Sequence, residues 1–124
     1  MDQNNYQEMQ VLEYQAKQLQ KIIENIDAQL LEMRNTSESL KEFEKLKNND
    51  DILFPVANGI FAKGKLTDNK LLNINIGSDV IVEKSVSDTI SMMETQVKEI
   101  EDYRIEVMSQ LQKFMNKIDD TQKE

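Results

Sequence analysis

The chain has 124 residues, of which 31% are charged and 39% apolar, and its formal net charge is −8 at pH 7. Cys and His are both absent, which excludes disulfides, thiolate chemistry and the commonest general base and metal ligand. The longest apolar run, residues 52–57, is too short to span a bilayer, and the net acidity disfavours nucleic-acid binding.

The first 49 residues carry apolar side chains at alternating steps of three and four. We call these repeated positions the seam of the helix. They are Met9, Leu12, Ala16, Leu19, Ile23, Ile26, Leu30, Met33, Ser37 and Leu40, and only Ser37 is polar. This heptad pattern predicts a coiled-coil helix from near Tyr6 to near Lys47. The Asn and Asp residues at 48–51 end it, because their side chains compete for backbone hydrogen bonds.

The middle segment contains the only Pro and all three Gly, and it predicts two consecutive β-hairpins. Its strands are expected at residues 52–57, 60–66, 70–76 and 80–83. Asn58-Gly59 separates the first two strands and is the strongest two-residue hairpin signal. Pro55 indicates an edge or a bulge, and Gly77-Ser78-Asp79 is the turn of the second hairpin.

The last forty residues repeat the seam pattern. The positions are Val86, Ile90, Met93, Val97, Ile100, Arg104, Val107, Leu111, Phe114 and Ile118. They predict a helix from about Val86 to about Thr121, and Ser85 with Asp88 resembles a capping box at its start. Arg104 is the charged exception. Its stem either packs while the guanidinium reaches a carboxylate, or it weakens the seam so that the distal arm opens.

These elements predict a mainly α, α+β fold: a long antiparallel coiled-coil helical hairpin with two β-hairpins at the bend. Its three parts are an N-terminal helix (1–49), an oligomerisation hub (50–84) and a C-terminal helix (85–124). The strands carry bulky apolar groups on both faces, which so short a segment cannot bury. They either cap the bend or, as we favour, complete a β-barrel between subunits, because closure removes open strand edges. The candidate hub residues are Leu53, Phe54, Val56, Ile60, Phe61, Leu72, Ile74, Ile76, Val80 and Val82.

Two stretches resemble the paired hairpins of the alpha class of prefoldin subunits, in its archaeal form. They run from Ile52 to Lys65 (ILFPVANGIFAKGK) and from Leu72 to Ser85 (LNINIGSDVIVEKS). The resemblance implies a cytoplasmic heterohexamer of two alpha and four beta subunits, joined through β-barrels. It further implies an ATP-independent holdase that binds unfolded client proteins at its coiled-coil tips and passes them to a group II chaperonin. No cofactor, metal, nucleic acid or membrane is implied, and the N-terminus lacks the features of a signal peptide.

The candidate client-binding residues lie near the two ends of the chain. They are Met9, Val11, Leu12, Tyr14, Met108, Leu111, Phe114 and Met115. Methionine is flexible and polarisable, which suits contact with varied apolar partners. Four of the eight lie on the seam, so they reach a client only where the helix ends fray.

Other chemistry has weaker support in the sequence. Gly59 to Lys65 matches a phosphate-binding loop, but Leu66 replaces the Ser or Thr that reaches the metal, and the segment is strand-like. Acidic pairs such as Asp119-Asp120 lack the ligand spacing of a calcium loop. We therefore expect no enzyme. The alternative function is a structural or adaptor coiled-coil oligomerisation protein without chaperone activity.

Overall fold

The computed structural model of the chain describes residues 3–123 and contains two long helices separated by four short strands. In chain order the elements are α1 (Gln3–Glu44), β1 (Asp51–Ala57), β2 (Ile60–Lys65), β3 (Leu71–Asn75), β4 (Ile81–Ser85) and α2 (Val86–Lys123). The predicted order of helix, two hairpins and helix is confirmed. Contacts divide the chain into two units, the first from residues 1–33 with 96–124 and the second from residues 34–95.

In the first unit, α1 and α2 run antiparallel and bury their seams against each other. The two buried clusters are Met9, Leu12 and Ala16 with Ile118, and Ile23, Ile26 and Leu30 with Val107. Residues early in α1 thus contact residues late in α2, as the fold-back of the chain requires. Full burial of one such aliphatic side chain contributes about 1.5–3 kcal/mol, so these clusters are the main source of stability in this unit.

Arg104, the charged exception on the α2 seam, forms an ion pair with Asp27 of α1. Its Nε donates to Asp27 Oδ1 at 2.6 Å and its Nη2 donates to Oδ2 at 3.2 Å. The hydrogen bond that Arg104 donates to Asp27, and then the negative charge of Asp27, raise the pKa of the Arg104 guanidinium above its ordinary value. The structure therefore agrees with the interpretation in which the guanidinium leaves the seam to reach a carboxylate.

In the second unit, α2 begins at Val86, as predicted, because Ser85 caps it. The Asp88 amide donates to Ser85 Oγ at 3.0 Å, which satisfies an amide that has no partner within the helix. The Thr89 hydroxyl donates to the Ser85 carbonyl at 2.8 Å. The Val86 amide donates to the Lys70 carbonyl at 2.8 Å, which ties the helix start to the strand connector.

The α1 helix ends at Glu44, earlier than the predicted Lys47. The amides of Lys45 and Leu46 donate to carbonyls three residues back, each at 3.1 Å, so the final turn tightens. The Leu46 carbonyl then accepts a hydrogen bond from Asn69 Nδ2 at 2.7 Å. A residue distant in sequence therefore satisfies a carbonyl just beyond this helix end.

Two connectors in the second unit are joined by hydrogen bonds. The Asn69 amide donates to Asn48 Oδ1 at 2.8 Å. The Asn49 amide donates to the Leu66 carbonyl at 2.6 Å, and the Leu66 amide donates to the Asp50 carbonyl at 2.9 Å. Asn49 has a φ of 77°, a conformation that Asn tolerates better than most residues. The Asn residues at 48–49 therefore anchor the connector that follows β2 to the segment that follows α1.

The first hairpin pairs β1 with β2 around the predicted turn at Asn58-Gly59. Strand partners run from Asp51 opposite Lys65 to Ala57 opposite Ile60, with a bulge between Pro55 and Ala57. Of the two turn residues only Gly59 has a positive φ, 74°, so the turn is not the type I′ form that requires positive φ at both. A bulge of this kind generally increases the local right-handed twist of a strand pair.

The second hairpin pairs β3 with β4, from Leu71 opposite Ser85 to Asn75 opposite Ile81. Its turn holds Ser78 and Asp79 at φ values of 51° and 60°, as in a type I′ turn. The Val80 amide donates to the Gly77 carbonyl at 3.0 Å and closes this turn. Because Val80 belongs to the turn, β4 begins one residue later than predicted.

Adjacent leucines on α1 provide a direct test of the seam. Leu30 is 4% exposed and Leu31 is 62% exposed. We expect Leu30→Ala to lower the free energy of unfolding by about 2–4 kcal/mol, through lost burial and a residual cavity. Leu31→Ala should change it by less than about 0.5 kcal/mol. Urea denaturation of both variants measures the difference, and equal losses would contradict the assigned register.

Candidate functional site

One face of the first hairpin is composed of apolar residues. The cross-strand register places Ile52, Phe54, Ile60 and Ala62, together with Gly64, on one face. We call this the apolar face of the first hairpin. Within the chain, Phe54 is 45% exposed and Ile60 is 60% exposed. Ile52, Ala62 and Gly64 are half-buried, so Phe54 and Ile60 are the side chains of this face that remain accessible to another molecule.

The opposite face of the first hairpin is mixed. Asp51 and Lys65 are cross-strand partners and form an ion pair at 3.1 Å. Lys63 lies opposite Leu53, and Phe61 lies opposite Pro55, on the same face. The charges on this face favour contact with water, so the two faces of the hairpin differ in polarity.

The second hairpin is covered more fully by its own chain. Leu72, Ile74 and Val82 share one face with Lys84, and all four are half-buried. Lys84 Nζ lies 3.7 Å from the Met92 sulfur on α2. Its other face is polar at its centre, where exposed Asn73 lies opposite exposed Glu83.

The candidate hub residues therefore fall into two groups. The exposed ones are Leu53, Phe54, Val56, Ile60, Phe61, Ile76 and Val80, and the half-buried ones are Leu72, Ile74 and Val82. The candidate list omitted Leu71 and Ile81, which are 43% and 56% exposed. The period-2 alternation of the strands contained that signal, because it assigns both residues to the face opposite Ile74.

The candidate client-binding residues divide according to the seam. Met9 and Leu12 are buried, while Leu111 and Phe114 pack against their cluster. The four residues off the seam, which are Val11, Tyr14, Met108 and Met115, are exposed. Tyr6 near the start of α1 is also exposed, and the candidate list did not include it.

The remaining chemical features of the described residues are few. Gly59 to Lys65 forms a turn followed by β2, so the segment does not have the loop-to-helix geometry of a phosphate-binding loop. Residues 3–123 contain no group of three acidic side chains placed to hold a metal ion. Within the same range, neither helix is long and apolar enough to cross a membrane.

Two antiparallel helices with β-hairpins inserted between them in sequence define this protein as a coiled-coil protein with a β-hairpin insert. A family model for prefoldin subunits matches residues 12–124. The chain therefore belongs to the prefoldin family, whose members are chaperone subunits rather than a known class of enzyme.

Relatives agree with this assignment, and a solved structure shares the fold. Prefoldin subunit alpha of Archaeoglobus fulgidus is 28% identical over 116 residues, which cover 94% of this chain and 85% of the relative. Its counterpart in Pyrococcus horikoshii is 34% identical over 111 residues, covering 82% of this chain and 74% of the relative. A cryo-EM structure of filamentous PFD from Methanocaldococcus jannaschii shares the fold, with a TM-score of 0.79 at 19% identity and coverage of 90% and 92% of the two chains.

Gly64 and Phe54 are coupled across the first hairpin. A Cβ atom at residue 64 would collide with Cε1 of the Phe54 ring. We expect Gly64→Ala to displace this ring and to destabilise the hairpin. In a Phe54→Leu background the same change should be neutral or stabilising, because Ala costs less backbone entropy than Gly. Urea denaturation of the wild type, both single variants and the double variant should give a coupling energy of about 0.5–1.5 kcal/mol. Additive changes in the free energy of unfolding would contradict this contact.

Proposed function

We propose that this chain is the alpha-class subunit of a cytoplasmic prefoldin complex that works as an ATP-independent holdase. Residues 50–84 form its oligomerisation hub, and the segments 1–49 and 85–124, which contain α1 and α2, form its client-binding arm. The observation that carries this proposal is the exposure of Phe54 and Ile60 on the apolar face of the first hairpin, in a chain that belongs to the prefoldin family. The complex would contain two alpha and four beta subunits.

The hub follows from the physics of small sheets. Each hairpin is a two-stranded sheet in the described chain, and an isolated two-stranded sheet is marginally stable in water. Its outer strands present unpaired amides and carbonyls, which are templates for further strands. Pairing with the hairpins of neighbouring subunits satisfies these groups, and closure into a barrel buries Phe54 and Ile60.

Client binding is assigned to exposed apolar side chains of the first unit. Val11 and Tyr14 lie on the outer surface of α1, and Met108 and Met115 lie on that of α2. Non-native proteins expose varied apolar segments, and flexible Met side chains adapt to them better than rigid ones do. Fraying of the helix ends would add Met9, Leu12, Leu111 and Phe114 to this surface.

No step of this proposed function needs a covalent reaction or ATP hydrolysis. Holding a client requires only reversible burial of apolar surface, and release follows when a group II chaperonin offers a competing surface. The second candidate is an adaptor or scaffold that oligomerises through the same hairpins without binding clients. Membership of the prefoldin family, whose members are chaperone subunits, favours the holdase.

The hub is tested by Ile60→Glu, with Leu31→Glu as the matched control. Both residues are exposed in the chain, at 60% and 62%, so neither change should unfold it. Light scattering after gel filtration with candidate beta subunits should show a heterohexamer for the wild type and for Leu31→Glu. Ile60→Glu should weaken assembly by more than about 100-fold, because a buried unpaired carboxylate costs about 3–5 kcal/mol. Normal assembly of Ile60→Glu would refute burial of this face.

The client surface is tested in the assembled hexamer by deletion of residues 1–12 and 113–124. We expect loss of the ability to suppress aggregation of a denatured client protein. Because this deletion also removes core residues, a triple variant with Val11→Ser, Tyr14→Ser and Met115→Ser tests exposed residues alone. It should need several-fold more complex for half-suppression, whereas Leu31→Ser should match the wild type. Full suppression by the truncated complex would exclude the proposed surface, and a wild type without suppression would favour the adaptor.

A further inference from the structure

The Arg104–Asp27 ion pair occupies an unusual place in the first unit. Arg104 is the single charged residue on the α2 seam, between Ile100 and Val107. Asp27 directly follows the buried Ile26 on α1 and accepts two hydrogen bonds from the guanidinium. Two parallel bonds of this kind hold both planar groups in a defined orientation.

Stability does not explain why Arg occupies this position. The Arg104 and Asp27 side chains are 36% and 50% exposed, and ion pairs that open to solvent contribute little to the free energy of unfolding. A Leu at the same position would add buried apolar surface to the cluster around Ile26. In coiled coils, a polar group on an otherwise apolar seam specifies alignment and partner at a cost in stability.

The neighbouring residues on α1 make this pair specific for one alignment. The residues one and two heptads on either side of Asp27 are Glu13, Gln20, Arg34 and Lys41. A slip of one heptad would place Arg104 beside Gln20, which is neutral, or beside Arg34, which has the same charge. Among these equivalent positions, Asp27 is the only carboxylate within one heptad, so a slip would lose the observed pairing geometry.

Pairing between α2 helices of two chains is opposed by the same residue. Apart from Arg104, the α2 seam is apolar throughout and could associate with a second copy of itself. In a parallel α2 pair, each Arg104 would face the other across the seam, with no Asp27 to neutralise it. Like charges at such close range in a seam disfavour this association.

We propose that the Arg104–Asp27 pair specifies the partner and the register of the helices in the first unit. It directs α2 to α1 rather than to a second α2, and it excludes alignments that are shifted by one heptad. This role concerns the folding of the chain itself, so it does not depend on client binding.

The experiment uses the full chain, which has no Cys and therefore accepts spin labels at chosen sites. Labels are attached to Cys substitutions at Lys17 and Lys113, which are exposed residues on α1 and α2 of the first unit. Pulsed electron resonance measures the distance between them, and dilution with unlabelled chain separates distances within a molecule from those between molecules. A slip of one heptad moves one helix by about 10 Å along the other, which such labels resolve.

The wild type should show one narrow distance distribution. Arg104→Leu should retain its helix content and unfold at the same or a higher temperature, yet show a second distance or distances between molecules. Lys98→Leu removes the same charge from an exposed position on α2 and should match the wild type. Exchanging the two charges, with Arg104→Asp and Asp27→Arg together, should restore the single distance.

Two results would overturn the proposal. One is a single unchanged distance in Arg104→Leu, and the other is failure of the charge exchange to restore it. Asp27→Asn, which preserves size and removes the charge, provides an independent variant if Arg104→Leu does not fold. An unchanged single distance in Asp27→Asn would count equally against the role of the pair.

Discussion

Burial of the two helical seams against each other is the interaction on which the first unit depends. A two-helix coil has no other core, so the clusters around Leu12 and Leu30 carry most of its hydrophobic stabilisation. The same constraint explains the composition of the chain. Helix surfaces away from the seam remain charged or amide-rich, while large apolar residues concentrate at the seam and on the strands.

The second unit solves a different physical problem. Two short hairpins are too small to bury all of their own apolar side chains. Their hydrogen bonds satisfy backbone groups but leave apolar surface exposed to water. Hydrogen bonds join the connectors around Asn48 and Asn69, and Ser85 caps α2. Backbone amides and carbonyls therefore have hydrogen-bond partners where the hairpins meet the helices. By contrast, apolar side chains of the first hairpin such as Phe54 and Ile60 remain exposed to water within the chain. Their burial by a neighbouring subunit is the physical basis of the proposed assembly.

Specificity and stability are supplied by different residues in this chain. Leu30 and its neighbours supply stability through apolar contact, which is tolerant of partner and alignment. Arg104 and Asp27 add little stability, but their geometry is met in one alignment. The Lys41–Glu94 ion pair, at 3.4 Å, similarly joins α1 to α2 in the second unit.

Much of this architecture could be predicted from the amino-acid sequence. The step pattern of three and four residues predicted both helices, and Ser85 predicted the start of α2, because periodicity and capping are local properties of the chain. The glycines and Asn58 located the hairpins for the same reason. The exposure of Met108 and Met115 followed from their positions beside the seam.

What the sequence alone determined was the type and order of the elements and the direction in which each helix turns its apolar side. Only the tertiary structure decided that Asp27 pairs with Arg104 and that Asn69 donates to the Leu46 carbonyl just beyond the end of α1. The physical reason is distance along the chain. These contacts join residues far apart in sequence, so they depend on the packing of separate elements, which local periodicity does not encode.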